Sequence, residues 1–300
     1  MVKRLEELGY STVFQCDHFQ KLRHDPIAML ASAASVTKRL NIGTFVFDVD
    51  YRHPVLLAKA AATLHLISNG RFEFGIGAGW DKKDYDMAGI KYDPPYKRVE
   101  RLEEAVQIII GMWTQEKTSF SGKHYQVNDI WKAGNLSEGE CPKMFIGGGG
   151  RKMLTIAGKY ADIVGINFNM KDYGKLPHEV VFGRAFKDQT LDEVKRKVEL
   201  VKKVAEASNR NLDEIEFQLG IIETEISDEP EPLMEKFADA WHITMEDVAN
   251  SAPVLIGSSS DIVERLKRIR EYTGVNYFVL YLKRDQFEEY AESIVQPLTS

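Results

Sequence analysis

The sequence predicts an α/β fold built on a parallel sheet, and a (β/α)8-type barrel is favoured over an open doubly wound sheet. Three observations carry this. Strand-like and helix-like segments alternate along the chain, the pattern of parallel strands joined by helical crossovers. The length of 300 residues suits one such barrel. Polar residues and glycines stand at the ends of the strand-like segments and are evenly spread.

Each element has its own signal. Residues 2–8 have helical composition and stop at Gly9, a helix-ending glycine. Residues 11–16 read as a strand, and 26–39 as an alanine-rich helix with Pro26 near its first turn. "LNIGTFVF", 40–47, is a strand. "HPVLLAKAAATLHLIS" is a helix with Pro54 near its start, and 71–77 is a strand that runs into glycines. After the "YDPP" loop comes a long helix, 96–113. "TSFSGKHYQVNDI" alternates and offers a turn at "SGKH", so it reads as a hairpin. Residues 142–148 are a strand, 151–160 a helix and 161–167 a strand. The polar passage 168–189 is too long for an ordinary connection and reads as a lid or insertion. Thr190 with Glu193 three residues later opens a helix as a capping box, and its charged run reads as a solvated face with Asp192–Arg196 and Glu193–Lys197 pairs. A strand at 215–226, helical pieces within 232–250, a helix at 261–274 and a strand at 276–282 complete the chain. The principal strands number seven, whereas a closed barrel needs eight. No two-domain boundary is marked, so 1–300 reads as one domain.

Composition narrows the class. The chain is 44% hydrophobic and 28% charged, which excludes a disordered protein. A net charge of -6 does not favour a general nucleic-acid binder. Two cysteines, Cys16 and Cys141, are too few for a zinc ribbon or a disulfide scaffold. No apolar run reaches the roughly 20 residues of a membrane helix, and no signal segment is visible. The expectation is a cytoplasmic protein that acts neither on membranes nor on nucleic acid.

In parallel folds, chemistry gathers at the C-terminal ends of strands. Asp17 and His18 follow the first strand-like segment, and Asp48 and Asp50 the second. His18 has the chemistry of a proton donor or ring hydrogen-bonder; a structural histidine on a backbone carbonyl is the plain alternative. Asp17 would orient His18 or cap the next segment. "GIGAGW", with Gly77, Ala78 and Gly79, is GxGxG rather than the dinucleotide fingerprint, and a flat ring packed on it is the better reading. "FIGGGGRKML" sets Gly147, Gly148, Gly149 and Gly150 between a strand and a helix. Backbone N–H groups there can close around a phosphate, against the alternative of a ligand-free turn. Trp80 and Tyr85 read as pocket walls or as core. Lys82, Lys83, Lys91, Lys97 and Arg98 read as an attractor for an anionic cofactor tail or as scattered solvated charges. No histidine spacing argues for a metal, and HExxH is absent.

Together "STVFQCDHF", "DVDYRHPVLLAKAAATLHLISNGRFEFGIGAGW", "DPPYKRVERLEEAVQIIIGMW", "FIGGGGRKMLTIAGKYADIVGI" and "VLIGSSSDIVERLKRIREYTGVNYFVL" resemble the bacterial-luciferase-like superfamily, most of all its branch of coenzyme F420-dependent oxidoreductases. The resemblance covers nearly the whole chain. It implies a TIM barrel that binds a deazaflavin, or FMN in its monooxygenase relatives, at the C-terminal mouth. It also implies hydride transfer with a small-molecule substrate, and a homodimer. Carried over, Asp17 and His18 match the pair beside the ring, and Asp48 the bulged strand end where a non-proline cis peptide often lies. Gly77 to Gly79 match the ring-flanking turn, Gly147 to Gly150 the phosphate turn, and Gly165, Ile166 and Asn167 the neighbouring strand end. Trp80 stands where glucose-6-phosphate-specific members carry a glutamate, which speaks against a sugar phosphate substrate. The family's first strand has no match, so the resemblance implies a barrel lacking that strand in this chain. The other readings are an FMN-dependent monooxygenase on the same fold and a non-catalytic flavin-binding or structural paralogue.

Overall fold

A computed structural model describes residues 1–20, 24–137, 139–170, 173 and 175–299. Its contacts divide into two compact units. The first is Met1–Glu7 with Ser11–Ile146; the second is Leu8–Tyr10 with the chain from Gly147 onward.

The first unit opens with helix α1 (Val2–Glu7), strand β1 (Thr12–Gln15) and helix α2 (Pro26–Val36). Asp25 caps α2 by accepting the Ala28 N–H at 3.0 Å, and Pro26 takes the first helical position, where a missing N–H costs nothing. Strands β2 (Asn41–Thr44) and β3 (Phe47–Asp48) follow, then helix α3 (Pro54–Ile67) and strand β4 (Phe72–Gly77). Helices α4 (Lys82–Ala88) and α5 (Pro95–Thr114) precede the antiparallel hairpin β5 (Lys117–Ser121) and β6 (Gln126–Trp131), and β7 (Lys143–Gly148) closes the unit. β1 pairs β2, β2 and β3 pair β4, and β4 pairs β7, all parallel.

One segment read as a single strand, 40–47, is two. Gly43 stands opposite Glu73 and Phe47 opposite Ile76, so four steps on one side match three on the other. The extra residue is a bulge. The Phe45–Val46 peptide within it is cis, where the family resemblance places such a bond. A second difference is α4, which fills a stretch expected to be loop.

The core of this unit lies between the parallel strands and helices α3 and α5. Ala58, Ala61 and Ala62 are fully buried and give α3 a smooth face against α5. Trp113 of α5 rests edge-on against Phe74, centroids 5.3 Å apart, and its indole N–H reaches the Ala58 carbonyl at 3.0 Å. That bond removes the cost of a buried donor, so the aromatic surface stabilises the core in full.

The second unit contains α6 (Arg151–Tyr160), β8 (Ile163–Ile166), α7 (His178–Asp188), α8 (Leu191–Ala207), β9 (Glu216–Ile221), β10 (Glu223–Ile226), α9 (Glu231–Trp241), α10 (Met245–Asn250), β11 (Val254–Gly257), α11 (Ser259–Thr273) and β12 (Tyr277–Leu280). β9 lies between β8 and β12, and β10 pairs β11, all parallel. The single strand expected at 215–226 is thus β9 and β10, which take different neighbours. β11 was not expected at all. With β1, β2, β4, β7, β8, β9 and β12, the principal parallel strands number seven, as read from the sequence.

Capping decides several helix starts. Thr190 accepts the Glu193 N–H at 3.3 Å, and full capping boxes open α10 (Thr244, Asp247) and α11 (Ser258, Asp261). The segment 168–189 carries α7. Phe182 and Phe186 of that helix meet Trp241 of α9 at 5.6 and 5.3 Å, and Phe237 joins the cluster. Residues 171, 172 and 174 of the expected lid lie outside the described residues.

Candidate active site

In the first unit, the C-terminal ends of β1, β3 and β4 carry a network of acidic, basic and aromatic side chains. Asp17 and His18 follow β1 directly. Successive residues of an extended chain point to opposite sides, and these two take different partners. Asp17 accepts Arg52 Nη1 at 2.6 Å and the Asp48 N–H at 3.2 Å. Burial pushes its carboxyl above the ordinary range, against the pull of the Arg52 guanidinium. The expectation that Asp17 orients His18 therefore gives way to a different pairing. His18 Nδ1 is bonded to Asp84 Oδ2 on α4, while Asp84 Oδ1 accepts the Phe19 N–H at 3.2 Å. Asp84 is fully buried (0% exposed). The Trp80 indole and the His18 ring stand nearly perpendicular, centroids 5.7 Å apart, interplanar angle 81°.

Asp48 follows a second arrangement. Its Oδ1 accepts the Asp50 N–H at 2.9 Å and lies 3.0 Å from the Tyr85 hydroxyl, which is also 2.9 Å from Asp50 Oδ2. A phenol has one hydrogen, so it cannot donate to two carboxylates at once. A proton on Asp48 resolves this: the carboxyl donates to the Tyr85 oxygen, and the hydroxyl donates to Asp50. Burial, together with the nearby Asp50, pushes Asp48 up to about 7. Arg101 then grips Asp50 through two bonds of 2.8 Å and reaches Asp93 at 2.6 Å. The Arg101 guanidinium holds Asp93 well below the usual carboxylate range.

The turn Gly77–Ala78–Gly79 sits beside this network. Gly79 has φ +68°, and a Cβ on it would run into the Asp48 carboxyl and the Tyr85 hydroxyl, so only glycine fits. Arg98, expected to attract an anionic tail, is turned inward instead. It is buried, donates to the Ala78, Gly79 and Asp93 carbonyls, and lies over the Tyr92 ring at 4.1 Å. Lys91 and Lys97 face Asp93, and Lys82 faces Asp86. Tyr85 is core, fully buried, rather than a pocket wall.

In the second unit, Gly147 to Gly150 lead from β7 into α6, and the strand end at Gly165, Ile166 and Asn167 lies beside them. The Asn167 N–H reaches the Gly148 carbonyl at 3.2 Å. A Cβ on Gly149 would strike the Phe168 carbonyl, which explains one glycine of the four. Gly150 is the N-cap of α6, and it has no side chain to accept from the first-turn N–H groups. The first-turn N–H groups thus have no capping side chain, an arrangement that could accept the oxygens of a phosphate. Lys197 and Gln189 hold the end of β8. Lys197 Nζ donates to the Asn167 carbonyl at 2.9 Å and to Gln189 Oε1 at 2.5 Å, and Gln189 Nε2 reaches the Ile166 carbonyl at 3.1 Å. Lys197 is 2% exposed, and burial lowers its pKa to about 8. The solvated face read for α8 is therefore wrong at Lys197. Arg196 pairs with Glu193 rather than Asp192, which accepts the Tyr272 hydroxyl at 2.5 Å.

Asp84, Arg52 and Arg101 escaped the sequence reading, and Lys197, which does face Glu193 at 3.7 Å, was read only as part of a solvated face. A signal existed for Asp84: Asp81 caps α4 by accepting the Lys83 N–H at 3.0 Å, and "DKKD" is a helix start that carries two acids. His18, Asp81 and Asp84 also bring one possible metal-donor atom each within 4.8 Å of one another, an arrangement that histidine spacing did not reveal. Asp81 already accepts from the Lys83 N–H and from Gln20 Nε2 at 3.2 Å.

Comparison with known proteins adds three findings. Residues 1–277 match the family model described as luciferase-like monooxygenase. The chain is 29% identical over 293 residues to an F420-dependent glucose-6-phosphate dehydrogenase of Amycolatopsis mediterranei (strain U-32), covering 93% of this chain and 86% of that one. Among solved structures, an F420-dependent secondary alcohol dehydrogenase in complex with an F420-acetone adduct superposes with a TM-score of 0.78 at 15% identity, covering 99% of this chain and 93% of that one. EDTA monooxygenase from Chelativorans sp. BNC1 gives 0.78 at 14% identity, over 99% and 86%. The α/β, TIM-barrel-like fold expected from the sequence is the fold of these neighbours, and the chain belongs to the luciferase-like monooxygenase family.

Proposed function

We propose that this chain is an F420-dependent oxidoreductase acting on a small organic molecule. The observation that carries the reading is the His18 imidazole at the end of β1, held at Nδ1 by the buried Asp84 and flanked by Trp80. Bound F420 supplies hydride exchange at its C5 carbon. His18 Nε2 takes, or returns, the proton that accompanies the hydride. Asp17, Asp48 and the Gly77–Ala78–Gly79 turn would receive the ring. The backbone N–H groups of Gly147 to Gly150 and the first turn of α6 would hold the phosphate, beside Gly165, Ile166 and Asn167. Trp80 offers an apolar wall where a glutamate would serve a sugar phosphate, so the substrate is read as a neutral small molecule. Segment 168–189 would form the substrate side. No helix among the described residues is long and apolar enough to cross a membrane. We place the protein in the cytoplasm as a homodimer, with neither nucleic acid nor membrane as partner.

Titration with oxidised F420 and with FMN, read by fluorescence, tests this. F420 is expected to saturate the protein at micromolar concentration and FMN to bind at least tenfold more weakly. Tighter binding of FMN, with oxygen consumed by the protein and reduced FMN, would overturn the cofactor assignment in favour of a monooxygenase. Binding of neither would support a non-catalytic paralogue.

A further inference from the structure

We propose that Asp84 is the positioning residue for His18, fixing the imidazole with its hydrogen on Nδ1 and its lone pair on Nε2; the proposal rests on the reading of His18 as an active-site residue. The carboxylate comes from α4, 66 residues along the chain, and is fully buried. A carboxylate in its ionised form only accepts hydrogen bonds. The Phe19 N–H donates to Oδ1, and with Asp84 ionised Oδ2 accepts as well, so Nδ1 supplies the hydrogen of its bond. The two bonds differ in what they fix. Phe19 N–H anchors the backbone after β1, and Nδ1 sets the plane and tautomer of the ring. The nearly perpendicular Trp80 ring then limits rotation of the imidazole about its Cβ–Cγ bond. Among the described residues no hydrogen-bonding group takes Nε2, while the His18 side chain is 25% exposed. The open face of the ring is therefore the one with a lone pair.

The same carboxylate explains how the site works without the adjacent pair first read from the sequence. Asp17 is taken by Arg52 and the Asp48 N–H. Trp80 has no acidic group. Asp84 is the carboxylate bonded to His18, and a neutral imidazole chooses its tautomer by the bond its other nitrogen makes. An amide at 84 would keep the size of the side chain but could donate to Nδ1, which favours the wrong tautomer.

Long-range proton–nitrogen correlation spectra of protein labelled with 15N-histidine test the proposal at pH 8.5, above the ordinary imidazole range. The His18 signals are identified by their loss in His18→Gln. In the wild-type protein, His18 is expected to carry its hydrogen on Nδ1. In Asp84→Asn, the ratio of the Nδ1–H to the Nε2–H form is expected to fall at least tenfold, with the other six histidines unchanged. An Nε2–H form in the wild-type protein would overturn the proposal even if Asp84→Asn does not fold. An unchanged ratio in a folded Asp84→Asn would do the same. Adding oxidised F420 to the same sample separates this from the functional reading. A moved Nε2 resonance supports His18 at the cofactor. A resonance that stays fixed while F420 binds would overturn that placement, and with it the active-site role of the dyad, yet leave the tautomer result intact.

Discussion

At the scale of the residue, Asp48 is a carboxyl whose chemistry is strongly altered by its surroundings. It faces Asp50 and Tyr85, its backbone N–H is bonded to Asp17, and Gly79 covers its other oxygen. Burial raises it to about 7. The folded state then binds a proton between pH 4 and pH 7 that the unfolded chain has lost. Stability therefore falls as pH rises through that window, and the ionised form costs roughly 2–4 kcal/mol above it. Asp48→Asn keeps an oxygen that accepts the Asp50 N–H, leaves the Tyr85 hydroxyl donating to Asp50, and cannot ionise. Urea unfolding should show the variant within about 0.5 kcal/mol of wild type at pH 4 and more stable by a few kcal/mol at pH 8. A difference independent of pH would mean that Asp48 does not titrate in this range. Little of this was legible. The sequence placed Asp17, His18 and Asp48 at strand ends correctly, because strand ends follow from periodicity. Their partners Arg52, Asp84 and Tyr85 come from other elements, and no local spacing encodes a contact between residues 18 and 84.

At the scale of the element, β4 shows why a glycine pattern was only half read. In "GIGAGW" the sequence assigns Gly77 to Gly79 to a flat ring and gives Gly75 no role. Gly79 is held to glycine by its positive φ and by the Asp48 carboxyl and Tyr85 hydroxyl that a Cβ would meet, and Gly75 answers a different need. The Thr44 hydroxyl donates to the Gly75 carbonyl at 2.8 Å, and its oxygen accepts the Gly75 N–H at 2.9 Å. That side chain stands in for a ladder rung where the bulge interrupts β2 and β3. A Cβ on Gly75 would fall on the Thr44 carbonyl and within 2.9 Å of Val46. Backbone cannot swing aside as a side chain can, so Gly75→Ala is expected to cost about 3 kcal/mol, measured as a lower denaturant midpoint with unchanged slope. A loss below about 0.5 kcal/mol would mean that the bulge relaxes freely. The bulge was not legible because 42–47 is apolar on both faces, which hides any one-residue shift. The division of 215–226 leaves only a small trace, a break in the apolar–polar alternation at Ile221–Ile222, and β11 is hidden by its brevity and the preceding Pro253.

For the whole molecule, the sequence yielded the seven principal strands, their parallel sense and the family, since each rests on repeated local signals. It did not reveal the division into two compact units, because contact density is not written in any one segment. The cofactor assignment makes its own demand at this scale. A ligand that binds the folded protein and not the unfolded chain adds RT ln(1 + [L]/Kd), about 2.7 kcal/mol at a hundredfold excess over Kd. For a chain of this size that raises the melting temperature by roughly 5 °C. Oxidised F420 should produce this shift at a concentration where FMN does not. Gly149→Ala pushes a methyl into the Phe168 carbonyl and so displaces the turn assigned to the phosphate. If that turn holds the ligand, F420 binding weakens at least tenfold in the variant. The shift then shrinks by about 1.4 kcal/mol, near half its size, as measured against the variant's own ligand-free melting temperature. An F420 shift of equal size in Gly149→Ala would remove the phosphate from Gly147 to Gly150, while leaving the ring assignment at His18 to be judged by the nitrogen resonances.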